Sequence, residues 1–435
     1  MTQTGKLSKR NFIISIAILA FMYFVFGFVS WINAILIPYF KIACELSNFE
    51  SYLVAFAFYI AYLVMSMPGA CLLKKVGFKR GIVLGFFILA SGALIFVPAA
   101  MTRTYGIFLT GLFTMGTGLA VLQTAANPYV TIIGPLDKAV QRMSIMGVCN
   151  KFAGIVSPLI FAAFTLKATD KELFAALPAM TEAARSLALD ELVRRVILPY
   201  SCLSVLLIGV GLFIRYSSLP EINTEEENEE LTESCSGKSN IFQFPYLILG
   251  ALALFLHVGT QVIAIDTIIG YATSMGMDLI SAKTFPSFTL TATIVGYIVG
   301  IVCVPRFIGQ TDLLRICTVT GLLLSFCILF IPGHIVFKGY EIAVSIWFVV
   351  LLGLPNALIY AGIWPLAIRN LGRFTKIGSS ILVMGLAGNA ILPLIYGHCV
   401  DWVGTRQAYW VLVPCFLYLV FYAVYGYKIT SWKLR

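Results

Sequence analysis

Two stretches of this sequence set amides and aromatic rings at helical spacing inside otherwise apolar runs. In VLQTAANPYV (121–130), Gln123 and Asn127 are four residues apart, so a helix places both amides on one face. Pro128 follows at once; it removes a backbone donor, bends the helix and frees carbonyls near the same level. In GLPNALIYAGIWP (353–365), Asn356, Tyr360 and Trp364 recur every four residues, giving one face an amide, a phenol and an indole. Other apolar runs carry Trp31 and Asn33, Asn150 and Lys151, His257, Gln261 and Asp266, and Asn389. Amides donate and accept, and flat rings cover C–H surface, so the combination suits a neutral polyhydroxylated ligand such as a sugar. The expected substrate-binding set is Trp31, Asn33, Gln123, Asn127, Asn150, Gln261, Asn356, Tyr360, Trp364 and Asn389. The competing reading is interhelical amide glue, worth about 1 kcal/mol per bond.

Two charges stand among these amides. An uncompensated charge at the centre of a span costs from about 2.5 to well over 10 kcal/mol, so each needs a partner, a cavity or a task. Asp266 and Lys151 are candidates to pair across the molecule, with Asp266 a proton-sensitive carboxylate and the two together an ion-coupling site. They read equally as a structural ion pair, or as a lysine that snorkels. His257, His334 and His398 are scattered, and the ten cysteines lie singly without metal-ligand spacing. No catalytic constellation, metal site or cofactor site is indicated, so an enzyme is not expected.

The elements that must position these residues are membrane helices. Hydrophobic residues make up 60% of the 435 and charged residues 11%, with a mean hydropathy of +0.93; soluble domains carry about a quarter charged residues. Apolar runs of roughly 20 residues, each long enough to cross a hydrocarbon core as a helix, recur twelve times along the sequence. They are continuous rather than alternating, which excludes a β-barrel. The fold class is an all-α polytopic membrane protein. The first run continues past Phe28, too long for a cleavable signal segment. The net charge of +10 is read as the basic excess of cytoplasmic loops rather than as a nucleic-acid surface. Nearly twice as many Lys and Arg residues fall on the face that holds both termini as on the other, which predicts both termini in the cytoplasm. A segment at 167–192 is amphipathic and reads as a surface helix on the opposite face.

The charged, Ser-rich stretch EINTEEENEELTESCSGKSN cannot bury a core. It divides the chain into a six-helix half at 1–214, a cytoplasmic linker at 215–243 and a second six-helix half at 244–435. The halves match each other. Gly116 falls on Gly353, Pro128 on Pro365, Tyr62 on Tyr297, Arg80 on Arg315, and Asn33 near Asp266, all at an offset of about 235 residues. Two pseudo-symmetric six-helix halves are the architecture of the major facilitator superfamily, with its substrate site near the membrane midplane between them. The basic loop KKVGFKR (74–80) stands where that superfamily has one, although Leu73 replaces its usual acidic residue.

The segments NAILIPYF (33–40), QTAANPYVTIIGP (123–135), CNKFAG (149–154), VGTQ (258–261) and NLGRFTKIGSS (370–380) resemble the fucose, glucose and galactose proton-symporter family. The resemblance runs from span one through span eleven. It implies a monomeric, multi-pass inner-membrane importer of a monosaccharide, coupled to a cation and working by alternating access in membrane lipid. Asn150 retains a sugar-contacting amide of the family, whereas Gly147 replaces a family glutamine and Trp31 stands at an amide position. The pocket is therefore reshaped, and the expected sugar is a hexose such as glucose, galactose or mannose, or else fucose. Two acidic positions of the family pattern are here Ala34 and Gln123, neither of which titrates. Coupling is left to a proton on Asp266, to sodium, or to nothing, as in facilitated diffusion. A non-transporting sugar sensor would need an output domain, for which the acidic linker is the one candidate.

Overall fold

Hydrocarbon offers no partner to backbone N–H and C=O groups, so each apolar run must close its hydrogen bonds within itself. The computed structural model describes residues 9–46, 48–134, 138–165, 170, 173, 176–217, 240–277, 279–304 and 306–432. Twelve of its helices are long and apolar enough to span. They are α1 (Arg10–Trp31), α2 (Leu53–Val76), α3 (Phe78–Thr102), α4 (Tyr105–Val130), α5 (Ala139–Thr165) and α6 (Glu182–Tyr216), then α7 (Pro245–Asp266), α8 (Phe285–Cys303), α9 (Gln310–Phe330), α10 (Ser345–Ile368), α11 (Ile377–Val403) and α12 (Gln407–Lys428). Most of the expected linker, 218–239, lies outside the described residues.

The helices form two groups of six with one packing plan. In the first, α1 packs on α5, α2 and α3 on α4, and α3 on α6. In the second, α7 packs on α11, α8 and α9 on α10, and α9 on α12. The groups meet where α5 lies along α8 and α2 along α11, two seams that the pseudo-symmetry exchanges. The glycines matched in sequence explain how closely the helices approach. A Cβ at Gly116 of α4 would sit 2.1 Å from the Phe58 carbonyl oxygen of α2, and one at Gly353 of α10 would sit 2.3 Å from the Thr289 carbonyl oxygen of α8. Small residues are what lets membrane helices pack backbone to backbone.

Two of the expected spans stop short and continue as separate helices. α1 ends at Trp31, and after Ile32 a separate helix, Asn33–Ala43, begins; α7 ends at Asp266, and after Thr267 another runs over Ile268–Ser274. The paired breaks make Trp31, rather than Asn33, the structural mate of Asp266. At the face away from the termini, the amphipathic helix Glu182–Arg194 leads into the apolar part of α6, Ile197–Tyr216. Ion pairs anchor it: Arg103 to Glu45 at 3.1 Å and to Asp190 at 3.4 Å, and Arg185 to Glu45 at 2.6 Å. A hairpin of β1 (His334–Phe337) and β2 (Tyr340–Ala343) joins α9 to α10. It turns through Lys338 and Gly339, both at positive φ, and its short apolar stretch was not separable from span ends by periodicity.

Gly116→Ala is expected to cost about 1–3 kcal/mol through overpacking, read as a lower Tm in detergent. Gly106→Ala in the same helix, where a Cβ meets nothing within 4 Å, should leave the Tm unchanged or slightly raised.

Candidate functional site

The two groups of helices enclose a cavity between them, with about 880 Å³ of empty space counting the part continuous with solvent. α1, α2, α4 and α5 line it from one half, and α7, α8, α10 and α11 from the other. Its rings are Tyr23, Phe26, Trp31, Tyr59, Tyr62, Tyr297 and Tyr360; its amides are Gln123, Asn127, Asn150, Gln261 and Asn389; its one charged side chain among the described residues is Lys151.

Most of the amides, and Lys151, are positioned by neighbours, as burial in a low-dielectric surround favours. Asn127, 1% exposed, accepts a hydrogen bond at Oδ1 from the Tyr23 hydroxyl. Its Nδ2 donates to the Tyr360 hydroxyl at 3.0 Å, so one amide ties α1 and α4 to α10 across the halves. Four residues earlier, Gln123 donates from Nε2 to the Tyr62 hydroxyl at 3.0 Å. On α5, Asn150 accepts from Trp31 Nε1 at 3.3 Å and donates from Nδ2 to the Tyr23 carbonyl at 3.3 Å. That reach is short because α1 approaches α5 at Gly27, where a Cβ would lie 2.2 Å from the Asn150 carbonyl oxygen. Lys151 donates from Nζ to Gln261 Oε1 at 3.0 Å, a second bond across the halves. The same Nζ lies 4.2 Å from the centre of the Trp31 ring, within cation–π range. Nearer the face of the termini, Gln141 Nε2 donates to the Ile301 carbonyl at 3.1 Å, holding the ends of α5 and α8 together.

Seven of the ten expected binding residues line the cavity: Trp31, Gln123, Asn127, Asn150, Gln261, Tyr360 and Asn389. The side chain of Asn33 lies outside the described residues. Asn356 and Trp364 are buried outside the lining, with the Trp364 ring stacked on Tyr360 at 5.7 Å and 24°. A spacing of four drifts by about 40° per step on a helix of 3.6 residues per turn, so three such residues cannot share one narrow opening. The expected pairing of Lys151 with Asp266 gives way to the Lys151–Gln261 bond. Asp266 stands five residues beyond Gln261, about 140° further round α7. It is outside the lining, and no ion pair joins it to Lys151 among the described residues. The charges of the two still act on each other, and Asp266 Oδ1 is buried with no hydrogen-bond partner among the described residues. His257 is fully buried outside the lining, both ring nitrogens likewise without partners.

Residue-by-residue reading missed four tyrosines, Tyr23, Tyr59, Tyr62 and Tyr297. The repeat held the signal for two of them, since Tyr62 and Tyr297 are matched positions and face the cavity from opposite halves. Tyr297 also explains Gly147: a Cβ there would be 2.3 Å from Tyr297 Cζ, so the phenol of α8 occupies the space beside this glycine.

The sequence profile of the Major Facilitator Superfamily matches residues 19–390, and the chain belongs to that superfamily. Among its relatives, a Brucella abortus protein named glucose/galactose transporter is 30% identical over 424 residues, 97% of this chain and 96% of the relative. A protein of Escherichia coli K12 named L-fucose-proton symporter is 29% identical over 401 residues, covering 91% and 89%. Among solved structures, a crystal structure of FucP, a Major Facilitator Superfamily transporter, in the outward conformation superposes with a TM-score of 0.77 at 26% identity, covering 97% of this chain and 100% of FucP.

Tyr360→Phe removes the Asn127 bond between the halves and is expected to cost about 0.5–1.5 kcal/mol, seen as a lower Tm in detergent without ligand. Tyr297→Phe deletes a hydroxyl with no protein partner among the described residues and should leave that Tm unchanged while weakening ligand binding.

Proposed function

We propose that this chain imports a monosaccharide of hexose type, such as glucose, galactose, mannose or fucose, across the inner membrane by alternating access. The carrying observation is a cavity between two pseudo-symmetric halves, lined by five amides and seven aromatic rings. Amides match sugar hydroxyls, ring faces match the C–H side of a pyranose, and a site at the repeat interface is where rocking of one half against the other exposes it alternately. Relatives named for glucose and galactose, and for L-fucose with a proton, support the reading. The contacts are assigned to the seven lining residues of the expected set together with Tyr62 and Tyr297, while Trp364 braces Tyr360. The working units are 1–214 and 244–435, joined by a cytoplasmic linker at 215–243, in a monomer with both termini in the cytoplasm.

Coupling is assigned to a proton on Asp266, with Lys151 as its electrostatic neighbour. Gln123 cannot titrate and is engaged with Tyr62, whereas Asp266 is a carboxylate near the seam with a buried, unpartnered oxygen. That Gln123 is an amide also favours a second reading, uncoupled or sodium-coupled transport. Proteoliposomes loaded with a monosaccharide panel, under proton and sodium gradients imposed separately, test both readings. A proton gradient should drive accumulation, and Asp266→Asn should abolish it while labelled sugar still exchanges. Accumulation unchanged in Asp266→Asn overturns the assignment to Asp266, and accumulation under sodium alone favours the second reading.

A further inference from the structure

Lys151 is the only charged side chain in the described cavity lining, and no carboxylate lines the cavity with it. The residue is 5% exposed, so its ammonium is removed from bulk water. An ammonium carries three N–H donors. Among the described residues it makes one hydrogen bond, to Gln261 Oε1, and rests on the face of Trp31. Neither partner is an anion. Asp266 acts on this charge through space but stands outside the lining and forms no ion pair with it among the described residues, so it occupies none of the remaining donors. A desolvated cation is stabilised most when an anion meets it with good hydrogen-bond geometry. The amides of Gln261 and Asn389, on α7 and α11, line the same cavity and add neutral donors suited to a carboxylate's second oxygen.

We propose that the sugar taken by this cavity is acidic, a hexuronate-type monosaccharide whose carboxylate pairs with Lys151 while the tyrosines and amides hold the pyranose. This assignment rests on the monosaccharide reading and narrows it, since a hexuronate keeps the hexose ring and hydroxyls and adds one negative charge. Lys151 is then a substrate-binding residue, and the Lys151–Gln261 bond across the halves is the contact that the substrate replaces or shares. A carboxylate on the Lys151 side also orients the ring, leaving its hydroxyls to Asn127, Asn150 and Gln123.

The test uses the full chain in proteoliposomes, with labelled glucuronate and galacturonate against labelled glucose and galactose. The expected result is uptake of a uronate, with at least tenfold better competition than its parent hexose. Lys151→Gln should lower the preference for uronate over hexose, read as the ratio of their competition constants, at least tenfold, and Lys151→Arg should retain that preference. Uptake of hexose with no competition from uronate overturns the acidic-sugar assignment and leaves the monosaccharide reading standing. Failure of all four sugars to move or to compete overturns both. If Lys151→Gln does not fold, the competition in the unaltered chain decides by itself.

Discussion

The constraint on which the structure depends is the absence of hydrogen-bond partners in hydrocarbon. An amide, phenol or charge carried into the membrane is costly unless it finds its complement on another helix or faces a cavity that holds water or substrate. Asn127 meets both demands, with its oxygen taken by Tyr23 and its nitrogen given to Tyr360. Asn150 does the same with Trp31 and the Tyr23 carbonyl. The polar side chains are thereby fixed before any ligand arrives, which lowers the ordering cost of binding.

Cross-half bonds at different depths give this arrangement mechanical meaning. Gln141 to the Ile301 carbonyl, Asn127 to Tyr360, and Lys151 to Gln261 all join one half to the other. Within each half the helices approach to backbone contact at glycines such as Gly116 and Gly353. Close glycine packing makes each half a stiff unit, while the bonds between units are few and polar. Relative motion of the halves therefore strains the seam and not the cores, and a ligand in the seam competes for the groups that hold it closed.

Much of this was legible in the sequence, and the exceptions have particular causes. Helix class, span number and the repeat followed from the length of the apolar runs and the offset shared by Gly116 with Gly353 and Pro128 with Pro365. The amide face of α4 followed from spacing alone. Spacing failed for Asn356 and Trp364, because angular drift turns them out of an opening that admits Tyr360. It failed for Asp266, because about 140° of rotation round α7 separates it from Gln261. Tyr23 and Tyr59 carried no mark that separates a cavity tyrosine from a packing one.

The sequence by itself determined that the chain is a twelve-helix membrane protein of two related halves with polar chemistry at its middle. Those properties are set by local hydropathy, helical period and internal repetition, all of which are one-dimensional. Only the tertiary structure decided which polar residues share one cavity, that Lys151 takes Gln261 rather than Asp266, and that Tyr297 fills the space beside Gly147. These depend on the rotation of each helix about its axis and on the partner helix it meets, and such orientations exist only once the helices have packed.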